Sequence, residues 1–304
     1  MTIVIRRLLC EQKSYWTICY ATLMKNKILL LLSALCFTYT LVAQKGDPMT
    51  RYMHINSIDT AYLKASYRYA FHDKENQASS QMALLVGERI QLFQGEDDYH
   101  TDSLGIALDN KAYSWNFIRD KVALLPKGRS NIRWRVFTGY PAGKITITDR
   151  IPFNDYISEE SLIQRAWNIH QDSIKQVMGY TCHLAELELF GRHWYAWYTP
   201  EISCTTGPWL LHGLPGLVVQ AFDSEHLHEF LLLNLKHQRI PIGFRKKPYY
   251  KADRERVVKE YIKFAQDPGK VIFGSGLVKP IGKSGKEDLP KRTYFYIPLR
   301  RVTP

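Results

Sequence analysis

Residues 180–199 read YTCHLAELELFGRHWYAWYT. Two strand-like runs, Tyr180 to Phe190 and His193 to Tyr198, flank the tight turn Gly191-Arg192. The spacing predicts a β-hairpin, because short apolar and aromatic runs bounded by a glycine turn pair with themselves. In the second run Trp194, Ala196 and Tyr198 share one face while Tyr195 and Trp197 share the other. Successive strand side chains point to opposite faces, so this strand is expected to be covered on both sides. One of the two covers is then open to a ligand or a partner.

The same pattern repeats on either side. Ala65 to Phe71 places Tyr67, Tyr69 and Phe71 at period two. Gln81 to Val86 and Arg89 to Phe93 flank Gly87-Glu88, and Ile132 to Phe137 and Lys144 to Thr148 flank residues 139–143. Leu217 to Phe222 and His228 to Leu235 flank Asp223-Ser224-Glu225. Consecutive hairpins favour a sheet of sequence neighbours. Helical spacing is rarer. Tyr250 to Gln266 carries Val257, Val258, Tyr261, Ile262 and Ala265 on one side and stops at Asp267-Pro268-Gly269, and Asp102 to Ile118 has a weaker version of the pattern. Residues 270–293 are rich in glycine and lysine and read as a flexible loop. The expected fold is mostly β (α+β): a curved antiparallel sheet of consecutive hairpins with one or two packed helices.

From Met24 the chain reads MKNKILLLLSALCFTYTLVAQ: two lysines, an apolar run, then Ala43-Gln44. This is the layout of a removable signal peptide over residues 24–43, with cleavage after Ala43. The apolar run of about 15 residues falls short of the ~20 needed for a permanent membrane helix. Cys36 sits inside that run behind Leu35, which disfavours lipid attachment. Residues 1–23 read as an extension ahead of the true start, and 44–304 as a single β-rich domain. The location expected is periplasmic or outer-membrane-associated, with no transmembrane helix in the mature chain.

The whole sequence has 41 Lys+Arg against 29 Asp+Glu. Residues 44–304 keep a net charge of +8, concentrated from Arg245 onward. No nucleic-acid recognition motif accompanies it, and an exported protein rarely meets that partner. A solubilising surface or an anionic envelope surface fits better. Of five cysteines only Cys182 and Cys204 remain after position 43. An oxidising compartment favours a bridge between them, worth about 3 kcal/mol for such a loop. Two buried free thiols are the alternative.

The stretch Gly207-Pro208-Trp209-Leu210-Leu211-His212 leads into Gly213-Leu214-Pro215-Gly216-Leu217-Val218, or GLPGLV. With Gly179-Tyr180-Thr181-Cys182, the Gly191-Arg192 turn and Ala196 to Ile202, it resembles the GLPGLI family of exported bacterial proteins, with Val218 in place of the usual isoleucine. The resemblance implies export and a β-rich fold, and no reaction. Two glycines flanking Leu214-Pro215 make a rigid turn. It reads either as a lid over the core or as the rim of a binding site.

Candidate chemistry is sparse. Asp223, His226 and His228, with His212, are the residue types that hold zinc, though no metal framework surrounds them. Glu186 and Glu188 share a strand face and form the acid pair that glycoside hydrolysis would need. Ser203-Cys204 lacks any nucleophile context. The aromatic crowd suits core packing or a surface for an apolar or carbohydrate ligand. The reading that results is a non-enzymatic envelope protein without a cofactor, contacting a ligand or an envelope protein through Trp194, Trp197, Trp209 and His212. The alternatives are a metal-dependent hydrolase and an accessory subunit of an outer-membrane assembly docking through its basic C-terminal region.

Overall fold

Two strands of 18 residues hold the sheet together: β1 (Ile55–His72) and β11 (His228–Arg245), paired antiparallel along most of their length. The computed structural model describes residues 54–108, 111, 113–126, 130, 132–274 and 296–302. The leader region at 1–43 and most of the expected loop at 270–293 therefore lie outside the described residues. Described residues fall into two units, 113–118 and the rest, and the whole sheet belongs to the second.

From β1 the chain runs outward through β2 (Gln77–Gly87), β3 (Gln91–Gly95), β4 (Arg135–Thr138), β5 (Lys144–Ile151) and β6 (Asn154–Ser161). It then crosses to the far edge. It returns through β7 (Asn168–Val177), β8 (Tyr180–Leu189), β9 (Arg192–Thr199) and β10 (Leu217–Asp223) to β11. A two-residue strand β12 (Tyr250–Lys251) adds to the β6 edge, the one parallel pair among the described residues. The order is β12-β6-β5-β4-β3-β2-β1-β11-β10-β9-β8-β7, an unclosed sheet of two meanders spliced at β1/β11. All four hairpins expected from sequence are present.

One face carries a single cluster drawn from both meanders, including Tyr67, Tyr69, Phe93, Trp134, Ile147, Leu187, Trp194 and Phe230. Leu210, Leu211 and Leu214, from the loop between β9 and β10, belong to the same cluster. The sheet therefore curves around a plug made of its own loop. On the opposite face Leu85, Leu92, Phe137 and Ile242 form a smaller core, against which Tyr99 packs. Tyr99 comes from α1 (Glu96–Ala107), whose buried residues are otherwise Glu96, Asp98, Asp102 and Gly105. This helix presents charge, not apolar surface, to the sheet.

Several boundaries differ from expectation, each for a local reason. The weak pattern over Asp102–Ile118 resolves into α1 and a second helix, α2 (Trp115–Ala123). The C-terminal helix α3 covers Arg254–Gln266 and begins four residues later than its apolar period suggests. Asp253 caps it by accepting a hydrogen bond from the Arg256 N–H at 2.8 Å, which leaves Tyr250-Lys251 free to extend the sheet. Asp267 does end α3, but Pro268 starts a new helix, α4 (Pro268–Gly274), since proline is well suited to a first helical turn. The first residues of the expected 270–293 loop are thus helical.

Candidate functional site

The aromatic crowd divides as the alternation of β9 requires. Trp194 and Tyr198 point into the core, and Trp194 is fully buried between Trp209, His228 and Phe230. Trp209, held at φ 54°, packs edge-on to Phe190. Beside Trp209, Leu210 and Val258 only about 20 Å³ stays open, room for roughly one water. Of the four expected contact residues, Trp194, Trp209 and His212 are therefore core or near-core groups. Trp197 alone lies on the other face, half-buried, with the Lys175 ammonium 5.1 Å from its ring centre.

The hexapeptide is the lid, not the rim. Leu214, Leu217 and Val218 are fully buried. The Gly213 N–H donates to the Thr205 carbonyl at 2.8 Å and the Val218 N–H to the Thr206 carbonyl at 3.1 Å. From across the core the Tyr67 hydroxyl donates to the Val218 carbonyl at 2.7 Å, and the Trp167 indole N–H donates to the His212 carbonyl at 2.9 Å. Every polar atom these bonds satisfy would otherwise be orphaned in an apolar interior.

Asp223, His226 and His228 do not converge. One Asp223 oxygen accepts from Arg192 Nη1 at 2.7 Å and the other from the His228 N–H at 2.8 Å. His228 shares a hydrogen bond with the Tyr69 hydroxyl at 2.9 Å, while His226 stacks on Phe222. Among the described residues no three His, Cys, Asp or Glu side chains gather as a metal site. Glu186 and Glu188 do share a face, but there they bind histidines: Glu186 contacts His170 at 2.6 Å and His193 at 2.8 Å, and Glu188 contacts His193 at 2.6 Å. The expected bridge is not formed either. Both cysteines are free thiols: Cys182 turns toward the Tyr180 carbonyl at the β7–β8 turn, and Cys204 lies in the loop between β9 and β10. Burial pushes the Cys182 thiol up to about 11, which keeps it protonated and unreactive.

Two buried imidazoles set an acid limit on the fold. Burial, reinforced by the Arg192 charge, lowers His228 from 6.5 to about 3, and burial with Arg165 lowers His212 to about 4. Both are neutral when folded and gain protons near 6.5 when unfolded. Between about 6.5 and 4 the unfolded chain binds more protons, so stability falls as pH falls through that window. Urea midpoints should drop from pH 7 to pH 4.5, and a His212→Gln/His228→Gln variant should show a flatter slope. An unchanged slope would mean that other groups control the acid response.

The feature that sequence did not single out is a charged cavity on the α1 face. Asp98 and Asp102 of α1 meet Arg135 of β4 at 2.7 and 3.0 Å and Arg245 of β11 at 3.1 and 2.7 Å. The two guanidinium groups hold the Asp98 carboxyl well below its usual range despite burial. Nearby, Lys247 pairs with Asp155 at 2.5 Å, and Arg254 of α3 pairs with Asp149 at 3.0 Å. Between these pairs lies a cavity of about 50 Å³, reached also by Thr148, Tyr249 and two exposed arginines, Arg133 and Arg150. That is room for roughly three to five waters. Burial pushes the Tyr249 phenol up to about 12, so it stays protonated. Arg245 was visible as the start of the basic excess, but nothing local ties it to Asp98, 147 positions away. Much of the basic C-terminal tract is spent this way: Arg300 and Arg301 also pair, with Glu160 and Glu225 at 2.5 Å each.

No family model and no curated protein matches this chain. Among solved structures it is similar to PNGF-II in two crystal forms. For the P21 form the identity is 12% over 68% of this chain and 34% of that one, with a TM-score of 0.44. For the C2 form it is 12% over 66% and 32%, with a TM-score of 0.43. The chain spans about a third of the length of those proteins.

Proposed function

We propose that this chain is an exported cell-envelope protein of the GLPGLI type whose β-rich domain binds a ligand without transforming it. The observation that carries the reading is the contrast between its two polar regions. The groups that sequence offers for catalysis, Asp223, His228, His212 and Cys204, are taken up by hydrogen bonds or buried packing. The charged cavity beside α1 instead keeps open volume next to two exposed arginines, Arg133 and Arg150, that form no ion pair among the described residues. The leader-like residues 24–43 support export, and the hexapeptide with its flanking segments supports the family.

The test is mass spectrometry of the protein produced in a bacterial host with its own leader. A mature chain beginning at Gln44, recovered outside the cytoplasm, is expected. A native mass above that of the bare chain, lost on denaturation, would show a retained ligand. Full-length cytoplasmic protein would overturn export, and a bare native mass at every salt concentration would count against tight binding.

A further inference from the structure

We infer that the cavity beside α1 is a receptor for a doubly negative oxyanion, such as the phosphoryl group of a phosphomonoester, with Arg133 and Arg150 as its ligand-binding side chains. The inference rests on the binding reading above and names the ligand class.

The charge count comes first. The cavity wall contains five cations, Arg133, Arg135, Arg150, Arg245 and Lys247, and three carboxylates, Asp98, Asp149 and Asp155. Asp102, paired with Arg135, and Arg254, paired with Asp149, add one charge of each sign. The site thus carries two positive charges more than its own acids balance. Those two charges are identifiable. Arg135 and Arg245 are committed to the two α1 carboxylates, and Lys247 to Asp155. Arg133 and Arg150 have no carboxylate within 4.0 Å among the described residues.

Position comes second. Arg150 follows Asp149 on β5, and Arg133 lies two residues before Arg135 on the approach to β4. Both residues are exposed and line the cavity, while Asp98, Arg135 and Asp149 of the same wall are buried. The arrangement is a wall of ion pairs with two guanidinium side chains that form no ion pair among the described residues. Guanidinium forks match the oxygens of phosphate and carboxylate in pairs, and two of them select a dianion over a monoanion. The cavity is large enough for several waters, hence for a tetrahedral group that displaces them. Lys247 adds to the demand. Burial pulls its ammonium down from the usual lysine range, a cost that a bound anion relieves.

The probes are inorganic phosphate, inorganic sulfate, methyl phosphate and dimethyl phosphate, titrated calorimetrically into the full chain. Phosphate, sulfate and methyl phosphate are expected to bind, and dimethyl phosphate, a monoanion, is not. Phosphate affinity should rise between pH 5.5 and 7.5 as its second proton leaves, while sulfate affinity stays flat. Arg133→Gln and Arg150→Gln should each weaken binding by about tenfold or more. Lys74→Gln, which removes one charge from the β1–β2 turn, should leave it unchanged. Phosphatidic acid vesicles form a second arm: capture that depends on Arg133 and Arg150 identifies a lipid headgroup as the source, and its absence beside methyl phosphate binding identifies a soluble one. Equal binding of dimethyl phosphate, or equal weakening by Lys74→Gln, would overturn the assignment. If none of the anions binds but the native mass still shows a ligand, the oxyanion assignment fails and the binding reading stands.

Discussion

Replacing Gly216 by alanine should cost more than about 4 kcal/mol and leave little folded protein at 37 °C. Gly216 sits at φ 155°, and a Cβ there would lie 2.0 Å from the Thr199 carbonyl oxygen, 2.5 Å from its carbon and 2.9 Å from Pro200 N. All three are backbone atoms at the end of β9, so no side-chain rotation relieves the overlap. Either β9 or the hexapeptide must move, and both are fixed: Leu217 pairs with Thr199, and Leu214 and Leu217 are fully buried. Gly143 supplies the comparison. It too has a positive φ, 74°, but nothing lies within 4 Å of its Cβ position. Gly143→Ala should therefore show only the conformational cost of a left-handed residue, about 1 kcal/mol. Urea midpoints of the two variants separate the contributions. A Gly216→Ala protein within about 1 kcal/mol of the parent would mean that the β9–β10 junction is far more pliant than its packing implies. Loss of binding in such a variant would report on folding, because the hexapeptide plugs the concave face and does not line the charged cavity.

The fold was legible wherever a strand buries one face. Tyr67, Tyr69 and Phe71 alternate because they line the concave core, and Ile145 and Ile147 do so for the same reason. β6 and β7 were not legible. β7 is an edge strand whose register slips between His170 and Ile174, so nearly all of it is exposed and no alternation survives. α1 was blurred because its inward face is Glu96, Asp98 and Asp102: it docks by ion pairs, and apolar periodicity cannot report that. The same fact concealed the cavity. Its walls come from α1, β4, β5, β6 and β11, and each contributes an ordinary surface-type residue whose role exists only after the sheet is assembled. The aromatic residues were open to two readings. Their density suited core packing or a contact surface alike, and the inward half of β9, Trp194 and Tyr198, is packed in the core.

Arg192→Met is the second substitution expected to be severe, and it tests how the end of the chain is secured. Arg192 and Asp223 are both buried, with side chains 4% and 1% exposed, and their oxygen and nitrogen meet at 2.7 Å. The same guanidinium donates from Nε to the Leu299 carbonyl at 3.2 Å and from Nη2 to the Pro298 carbonyl at 2.9 Å. One side chain thus neutralises an interior carboxylate and holds the segment 296–302 against the β8–β9 turn. Methionine keeps the length and volume but removes every donor. Asp223 is left charged without its counter-ion, a loss of about 3–5 kcal/mol. Adding Asp223→Asn removes that charge while preserving an acceptor for the His228 N–H, so the double variant should recover at least about 2 kcal/mol of the loss. The C-terminal segment gives an independent readout. Once Arg192 is gone, the bond from the Arg301 N–H to the Phe190 carbonyl at 3.0 Å remains. Amide exchange at residues 299–302 should therefore accelerate in the single and the double variant alike, because the asparagine restores charge balance and not the two lost donors. Recovery of both stability and exchange protection in the double variant would show that Arg192 acts through Asp223 alone, and that the tail is held by its own packing.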